Sequence, residues 1–324
     1  MMICPAPPRS RKGNRVTAVR WARLLKDLGH RVTIRQEYDD THCDLLIALH
    51  ARRSARAVRR FGRLYPTLPL AVALTGTDLY RDIRTSRQAQ RSLDLATCLI
   101  VLQPKGVEEL PRIQRAKARV VLQSAHPTSV PPARRPKKNK SKFRVCVLGH
   151  LRHEKDPLRT AMATRLLPAE SRIHVAHLGA ALNVAMGNWA AAESQSNPRY
   201  CWVGEVAPGR ARRMLACCDL MVLSSRMEGG ANVLSEAIVD AVPIVASDIP
   251  STVGILGAGY PGLFPVGDTS RLANLLHRAE TDSEFYARLK RWCVRLAPQF
   301  APEEEREAWR RIIQELIQTS PLHY

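Results

Sequence analysis

Short apolar runs alternate with amphipathic stretches along most of this chain. In its first part the runs fall at 31–34, 45–49, 70–74, 99–102 and 120–122. Continuous apolar runs of this length suit parallel strands buried on both faces. The stretches between them carry helical spacing, clearest over 15–29, where Val16, Val19, Leu24 and Leu28 recur and Gly29 is a natural stop. Such alternation predicts a doubly wound parallel sheet.

The rhythm breaks at His126-Pro127-Thr128-Ser129-Val130-Pro131-Pro132-Ala133 and the basic run that follows. Proline, serine and charge replace apolar residues there, as in a solvated linker. The pattern restarts at Phe143-Arg144-Val145-Cys146-Val147-Leu148-Gly149, with further strands expected at 173–178, 200–203, 219–223 and 243–247. Late helices are expected over about 269–279, 284–296 and 302–317. The last starts acidic at Glu303-Glu304-Glu305 and carries an apolar face of Trp309, Ile312, Ile313, Leu316 and Ile317. The expected division is a first Rossmann-like domain over 1–126, a linker over 127–142, a second Rossmann-like domain over 143–300 and a terminal helix over 301–324.

The densest chemistry lies in Ser224-Ser225-Arg226-Met227-Glu228-Gly229-Gly230-Ala231-Asn232-Val233-Leu234-Ser235-Glu236. Here a glycine pair joins a buried strand to a helix, leaving backbone N–H groups bare at the helix start, a ready site for an anion. Glu228 and Glu236 offer fixed carboxylate acceptors for sugar hydroxyls. A loop with both features fits a nucleotide sugar, although paired glutamates near a helix start also serve its dipole alone. Four further strand ends carry polar groups. Gly149-His150-Leu151-Arg152-His153-Glu154-Lys155 is a cation-loaded turn suited to a diphosphate. Gly13-Asn14-Arg15 opens the first helix. Thr75-Gly76-Thr77-Asp78 and His50 end strands at the carboxyl edge of the sheet, where ligands bind in open α/β folds.

Composition narrows the classes. The chain has 324 residues, 45% of them hydrophobic, enough for two domains with real cores, and no apolar stretch reaches membrane-span length. Its first residues read as a strand rather than a signal peptide, and a cytoplasmic location is expected. None of the eight cysteines forms a C-x-x-C pair, which argues for reduced thiols and no zinc site. There is no D-x-D string or other metal cluster. The net charge of +21 is lopsided: residues 1–142 hold 30 Lys and Arg against 10 Asp and Glu, the remainder 20 against 19. Such asymmetry often serves nucleic acid. Aromatics at 5% and the lack of a recognition-helix, RRM or zinc-finger pattern argue against it.

The segment 224–247 resembles the donor-binding signature of family 4 glycosyltransferases, S-x-x-E-G, then N, E-A and P-V-x-A-S. One departure is Ala241, where that family usually has glycine. The resemblance implies a GT-B architecture, two Rossmann-like domains facing a cleft, with the last helix crossing back to the first domain. It implies that Glu228 contacts hydroxyls of the transferred sugar, Glu236 the nucleotide ribose, and Gly229, Gly230, Ala231 and Asn232 the diphosphate and sugar. Family 4 enzymes place Arg directly after the glycine of the first turn and Lys five residues later. Lys155 fits; the arginine position holds His150, and Arg152 lies two residues on.

Further strings resemble the selenosugar synthases of selenoneine biosynthesis: 13–18, 48–55, 149–152, 228–233 and Leu74-Thr75-Gly76-Thr77-Asp78-Leu79-Tyr80-Arg81-Asp82. That resemblance implies transfer of a sugar from a UDP-sugar to selenophosphate, without metal or other cofactor, beside partner enzymes of the same pathway. The acceptor would be held in the basic domain by Asn14, Arg15, Thr75, Gly76 and Thr77, with Glu228, Asp78 and His50 at the reacting centre. The residues themselves leave open a transferase with an oxygen acceptor, a nucleotide-sugar hydrolase or epimerase, and a nucleic-acid binder.

Overall fold

A computed structural model describes residues 1–10, 13–128 and 141–318. Lys12 and positions 129–140 of the expected linker lie outside the described residues. The chain divides into two compact units, Met1–Gln123 with Pro302–Tyr324, and Ser124–Ala301. Among the described residues no helix is long and apolar enough to cross a membrane.

The first unit holds six parallel strands: β1 (Met2–Ile3), β2 (Ile34–Arg35), β3 (Leu46–Leu49), β4 (Leu70–Leu74), β5 (Cys98–Val101) and β6 (Ala118–Val120). Their order is β2-β1-β3-β4-β5-β6. Every residue of β3, β4 and β5 is buried, which is why those runs are apolar without alternation. The order reverses between β1 and β3, so the loops after these strands flank a topological switch point, where open sheets bind ligands. Outer strands differ from expectation. β2 starts only at Ile34, and β6 ends at Val120 with half-buried residues, because an edge strand has one neighbour and less apolar cover.

The first helix, Gly13–Asp27, also departs from its expected face. Its buried residues are Thr17, Ala18, Trp21, Ala22 and Leu25, whereas Val16 and Val19 are exposed. Small residues at 18 and 22 let the helix lie close to the sheet, and Trp21 decides which stripe turns inward. Its partner comes from the far end of the chain. Helix Pro302–Gln318 buries Glu305, Trp309, Ile312, Ile313 and Leu316 within this unit, while Ile317 stays exposed. Trp309 meets Trp21 edge-on at 4.8 Å, and the Trp21 indole donates to Glu305 at 2.8 Å.

The second unit is built the same way: β7 (Phe143–Leu148), β8 (Ile173–Leu178), β9 (Tyr200–Gly204), β10 (Leu220–Leu223), β11 (Ile244–Ser247) and β12 (Leu263–Phe264), all parallel, in the order β12-β11-β10-β7-β8-β9. This is the 3-2-1-4-5-6 arrangement of dinucleotide-binding folds. Its switch point lies between β7 and β10. The cationic turn follows β7 and the glycine-pair loop follows β10, so topology places the two adjacent.

Candidate functional site

In the second unit, the residues after β7 and β10 form one interlocked group. Lys155 and Glu228 make an ion pair, and Ser225 Oγ donates to the same carboxylate oxygen at 2.6 Å. The pair is mostly covered, with side chains 17% and 8% exposed. Ser224 Oγ donates to the Asp156 carbonyl at 3.0 Å, the Arg226 amide to the Glu154 carbonyl at 2.8 Å, and Ser247 Oγ to the Ser225 carbonyl. Asp156, in the left-handed region at φ 45°, receives Arg159 at 2.9 Å and Arg226 at 3.6 Å. The two turns are thus stitched through hydroxyls and backbone, which fixes Lys155 against Glu228.

Helix Asn232–Val239 begins just beyond. Its N-cap is Ala231, which supplies no side-chain cap, so the first-turn amides remain available to an anion. Gly229 and Gly230 precede it, and Asn232 Oδ1 is buried without a hydrogen-bond partner. Glu236, one turn along, faces Arg212 at 3.7 Å; Arg212 also holds Asp240 at 3.0 Å and donates to the His126 carbonyl at 2.9 Å. Arg152 is half-buried at the head of the short helix His153–Lys155 and enters no ion pair among the described residues.

The cationic turn is braced from below. His177 on β8 meets the Gly149 carbonyl through Nε2 at 3.1 Å and the Tyr200 hydroxyl through Nδ1 at 2.8 Å. The carbonyl needs a donor, so the proton sits on Nε2 and Nδ1 accepts from Tyr200. Burial pushes the His177 pKa down to about 4, keeping the ring neutral. His150 Nδ1 accepts the Ala180 amide at 3.1 Å.

The first unit gathers its predicted residues at its own switch point. Thr75 Oγ1 donates to Asn14 Oδ1 at 2.7 Å, linking the end of β4 to the first helix, and Arg15 is the next residue of that helix. His50 follows β3 with φ 75°, a strained conformation for a non-glycine residue. Asp78, expected at the reacting centre, lies 3.8 Å from His50. It is fully buried, and its two oxygens accept the Ala51 amide at 3.0 Å and the Gly76 amide at 2.9 Å, so it braces these loops. Gly76 and Thr77 lead into a π-helical turn, Asp78–Asp82, a feature frequent at functional sites.

Residues 132–292 match the family model described as glycosyl transferases group 1. That match spans just under half of the chain. Solved structures agree on the fold. Sucrose-phosphate synthase of Thermosynechococcus elongatus is 15% identical, with TM-score 0.78 over 98% of both chains. HepE of Anabaena in complex with UDP-glucose is 18% identical, with TM-score 0.69 over 84% of this chain and 79% of that one. The UDP-forming trehalose-phosphate synthase of Burkholderia vietnamiensis is 12% identical, with TM-score 0.70 over 98% and 80%. The architecture is that of GT-B glycosyltransferases.

Within the matched stretch the sequence reading missed Ser225, Ser247, Arg159 and Arg212. Both serines lie inside the signature, but hydroxyls that bond across strands leave no spacing signal. Outside the segment it missed Asp82 as a site residue, although the string containing it was singled out. Among the described residues no group of three or more His, Cys, Asp or Glu is placed to hold a metal ion.

Proposed function

We propose that this chain is a UDP-sugar-dependent glycosyltransferase whose acceptor is a small anion, selenophosphate, giving a selenosugar. One observation carries the donor half: Lys155 and Ser225 both hold one Glu228 carboxylate oxygen beside the uncapped start of helix Asn232–Val239. An ammonium and free amides suit a diphosphate, and the carboxylate suits the hydroxyls of the attached sugar. The solved neighbours with UDP or UDP-glucose support the same reading.

The acceptor half rests on the resemblance to selenosugar synthases and on the basic first unit. In the proposed reaction the selenium lone pair attacks the anomeric carbon. A C–Se bond forms, the C–O bond to the diphosphate breaks, and UDP leaves with the electron pair; the immediate product carries phosphate on selenium, and water must then break the Se–P bond to give the selenosugar and inorganic phosphate. Lys155 and the helix amides offset charge on the departing diphosphate. An anionic selenium nucleophile needs no strong general base, which accords with a neutral, buried His50.

The test is incubation with UDP-glucose or UDP-N-acetylglucosamine, with and without selenophosphate, followed by mass spectrometry. A selenium-containing sugar and selenophosphate-dependent UDP release are expected. UDP release indifferent to selenophosphate, or a product glycosylated at oxygen, would replace the acceptor assignment with that of an ordinary oxygen acceptor.

A further inference from the structure

Two polar atoms of the first unit are buried without a hydrogen-bond partner and face each other. They are His50 Nε2 and Asp82 Oδ2, 3.8 Å apart, on side chains only 4% and 3% exposed. The Arg53 amide donates to His50 Nδ1 at 3.3 Å, so the neutral ring carries its proton on Nε2. Burial lowers the His50 pKa and favours that neutral form, although Asp78 also lies 3.8 Å from Nδ1. One atom of the pair is therefore a donor and the other an acceptor. An oxygen about 2.8 Å from both would complete their hydrogen bonding. It must accept from Nε2 and donate to Oδ2, so it must carry a hydrogen.

The surroundings add charge. Arg52 Nε lies 3.0 Å from Asp82 Oδ2, and Arg81 Nε lies 3.5 Å from Oδ1. Both guanidiniums are about half exposed, at 44% and 53%, above a carboxylate that is covered. The Arg52 contact lacks hydrogen-bond geometry, since Oδ2 remains unpartnered, so its N–H groups can turn to another anion. Asp78 is already committed to two backbone amides. The cluster thus joins two half-exposed arginines to a covered carboxylate whose Oδ1 accepts from Arg81 and whose Oδ2 lacks a hydrogen bond.

We propose that His50, Asp82, Arg52 and Arg81 form a subsite for a protonated tetrahedral oxyanion. Its X–OH group sits between His50 Nε2 and Asp82 Oδ2, and its anionic oxygens lie on the two guanidiniums. An approaching anion draws Arg52 outward and opens the gap beneath it. Asp82 is the selector, because an oxygen without a hydrogen would face its carboxylate unpaired. Phosphate and its analogues keep an O–H at neutral pH and qualify; sulfate does not. As an acceptor subsite this rests on the function proposed above, whereas the anion selectivity stands without it.

Calorimetric titration of the full-length protein with inorganic phosphate and with sulfate, at matched ionic strength and neutral pH, tests it. Phosphate should bind about tenfold to hundredfold tighter than sulfate, the size of one charged hydrogen bond. Asp82→Asn, whose amide can donate to a bare oxygen, should level or reverse the ratio. Arg52→Gln should weaken both anions alike. Equal affinities in the wild type, a preference surviving Asp82→Asn, or no binding of either anion overturns the proposal, and the last outcome leaves the gap to an internal water only. Should Asp82→Asn fail to fold, the wild-type ratio decides. No sugar donor enters these titrations, so a failure of glycosyl transfer shows in product analysis and not here.

Discussion

Lys155 and Glu228 neutralise one another across Ser225, so a ligand that claims both must separate or bridge them. Glu228→Gln keeps the shape and the Ser225 contact but removes the charge. Transfer should slow by about tenfold to hundredfold with the fold intact, because one charged hydrogen bond is worth about 1.5–3 kcal/mol. Steady-state kinetics beside a thermal melt checks this, and wild-type rates would remove Glu228 from the site. His177 invites a pH experiment. Its native pKa of about 4 lies below the ordinary histidine value near 6.5. Above about pH 6.5 the ring is neutral in both states and contributes no pH dependence. Between about 6.5 and 4 only the unfolded chain takes up the proton, so stability falls with acidity, by about 3 kcal/mol at most. Buried His50 acts in the same direction. Urea unfolding from pH 7 to 4 should show a smaller loss in His177→Gln than in the wild type; equal slopes would reject the assignment. The acceptor on the His177 proton, the Gly149 carbonyl, was not legible in the sequence, since it depends on strands pairing across nearly thirty positions.

Helix Asn232–Val239 shows what an element inherits from its ends. It closes with the Ala241 amide on the Ile238 carbonyl at 3.0 Å and the Val242 amide on the Ala237 carbonyl at 2.9 Å, a Schellman motif. Ala241 sits at φ 52°, where glycine is at ease and a Cβ is not. Ala241→Gly should stabilise the protein by about 0.5–1 kcal/mol, relief of backbone strain exceeding the extra entropy of the unfolded chain. Denaturant midpoints give the answer, and a loss of stability would mean that the methyl group packs usefully. The sequence showed this cap as a missing glycine, because turn chemistry is local. It did not show the face of the first helix, where Val16 and Val19 repeat as well as Ala18, Trp21, Ala22 and Leu25, and the packing of Trp21 against Trp309 breaks the tie. Asp82 was hidden for a similar reason: a π-helical turn, not the ordinary helical spacing, carries its carboxylate under His50.

At the scale of the molecule, charge is the property most readable from composition and least local. Nearly all of the +21 resides in residues 1–142. If it serves a small anionic acceptor, acceptor capture should weaken with added salt, because such fields are screened over about 8–10 Å near physiological ionic strength. Arg15→Ala should raise the apparent KM for the acceptor and leave UDP affinity nearly unchanged. Replacing Lys137, Lys138 and Lys140 by serine should do much less. Kinetics across a salt series, with a DNA gel-shift series alongside, separates this from nucleic-acid binding, which would show the reverse ranking and a steep salt slope.

The pairing of Trp21 with Trp309 and Glu305 also sets a clock. These contacts span up to 288 positions, with the entire Ser124–Ala301 unit synthesised between them. At translation speeds of about 5–20 residues per second, the first half of the core waits on the order of tens of seconds for its last helix. During that interval a fully formed sheet would still present one apolar face, centred on Trp21, to the crowded space outside the ribosome. The second unit, Ser124–Ala301, is continuous in sequence and its chain is complete before that helix emerges.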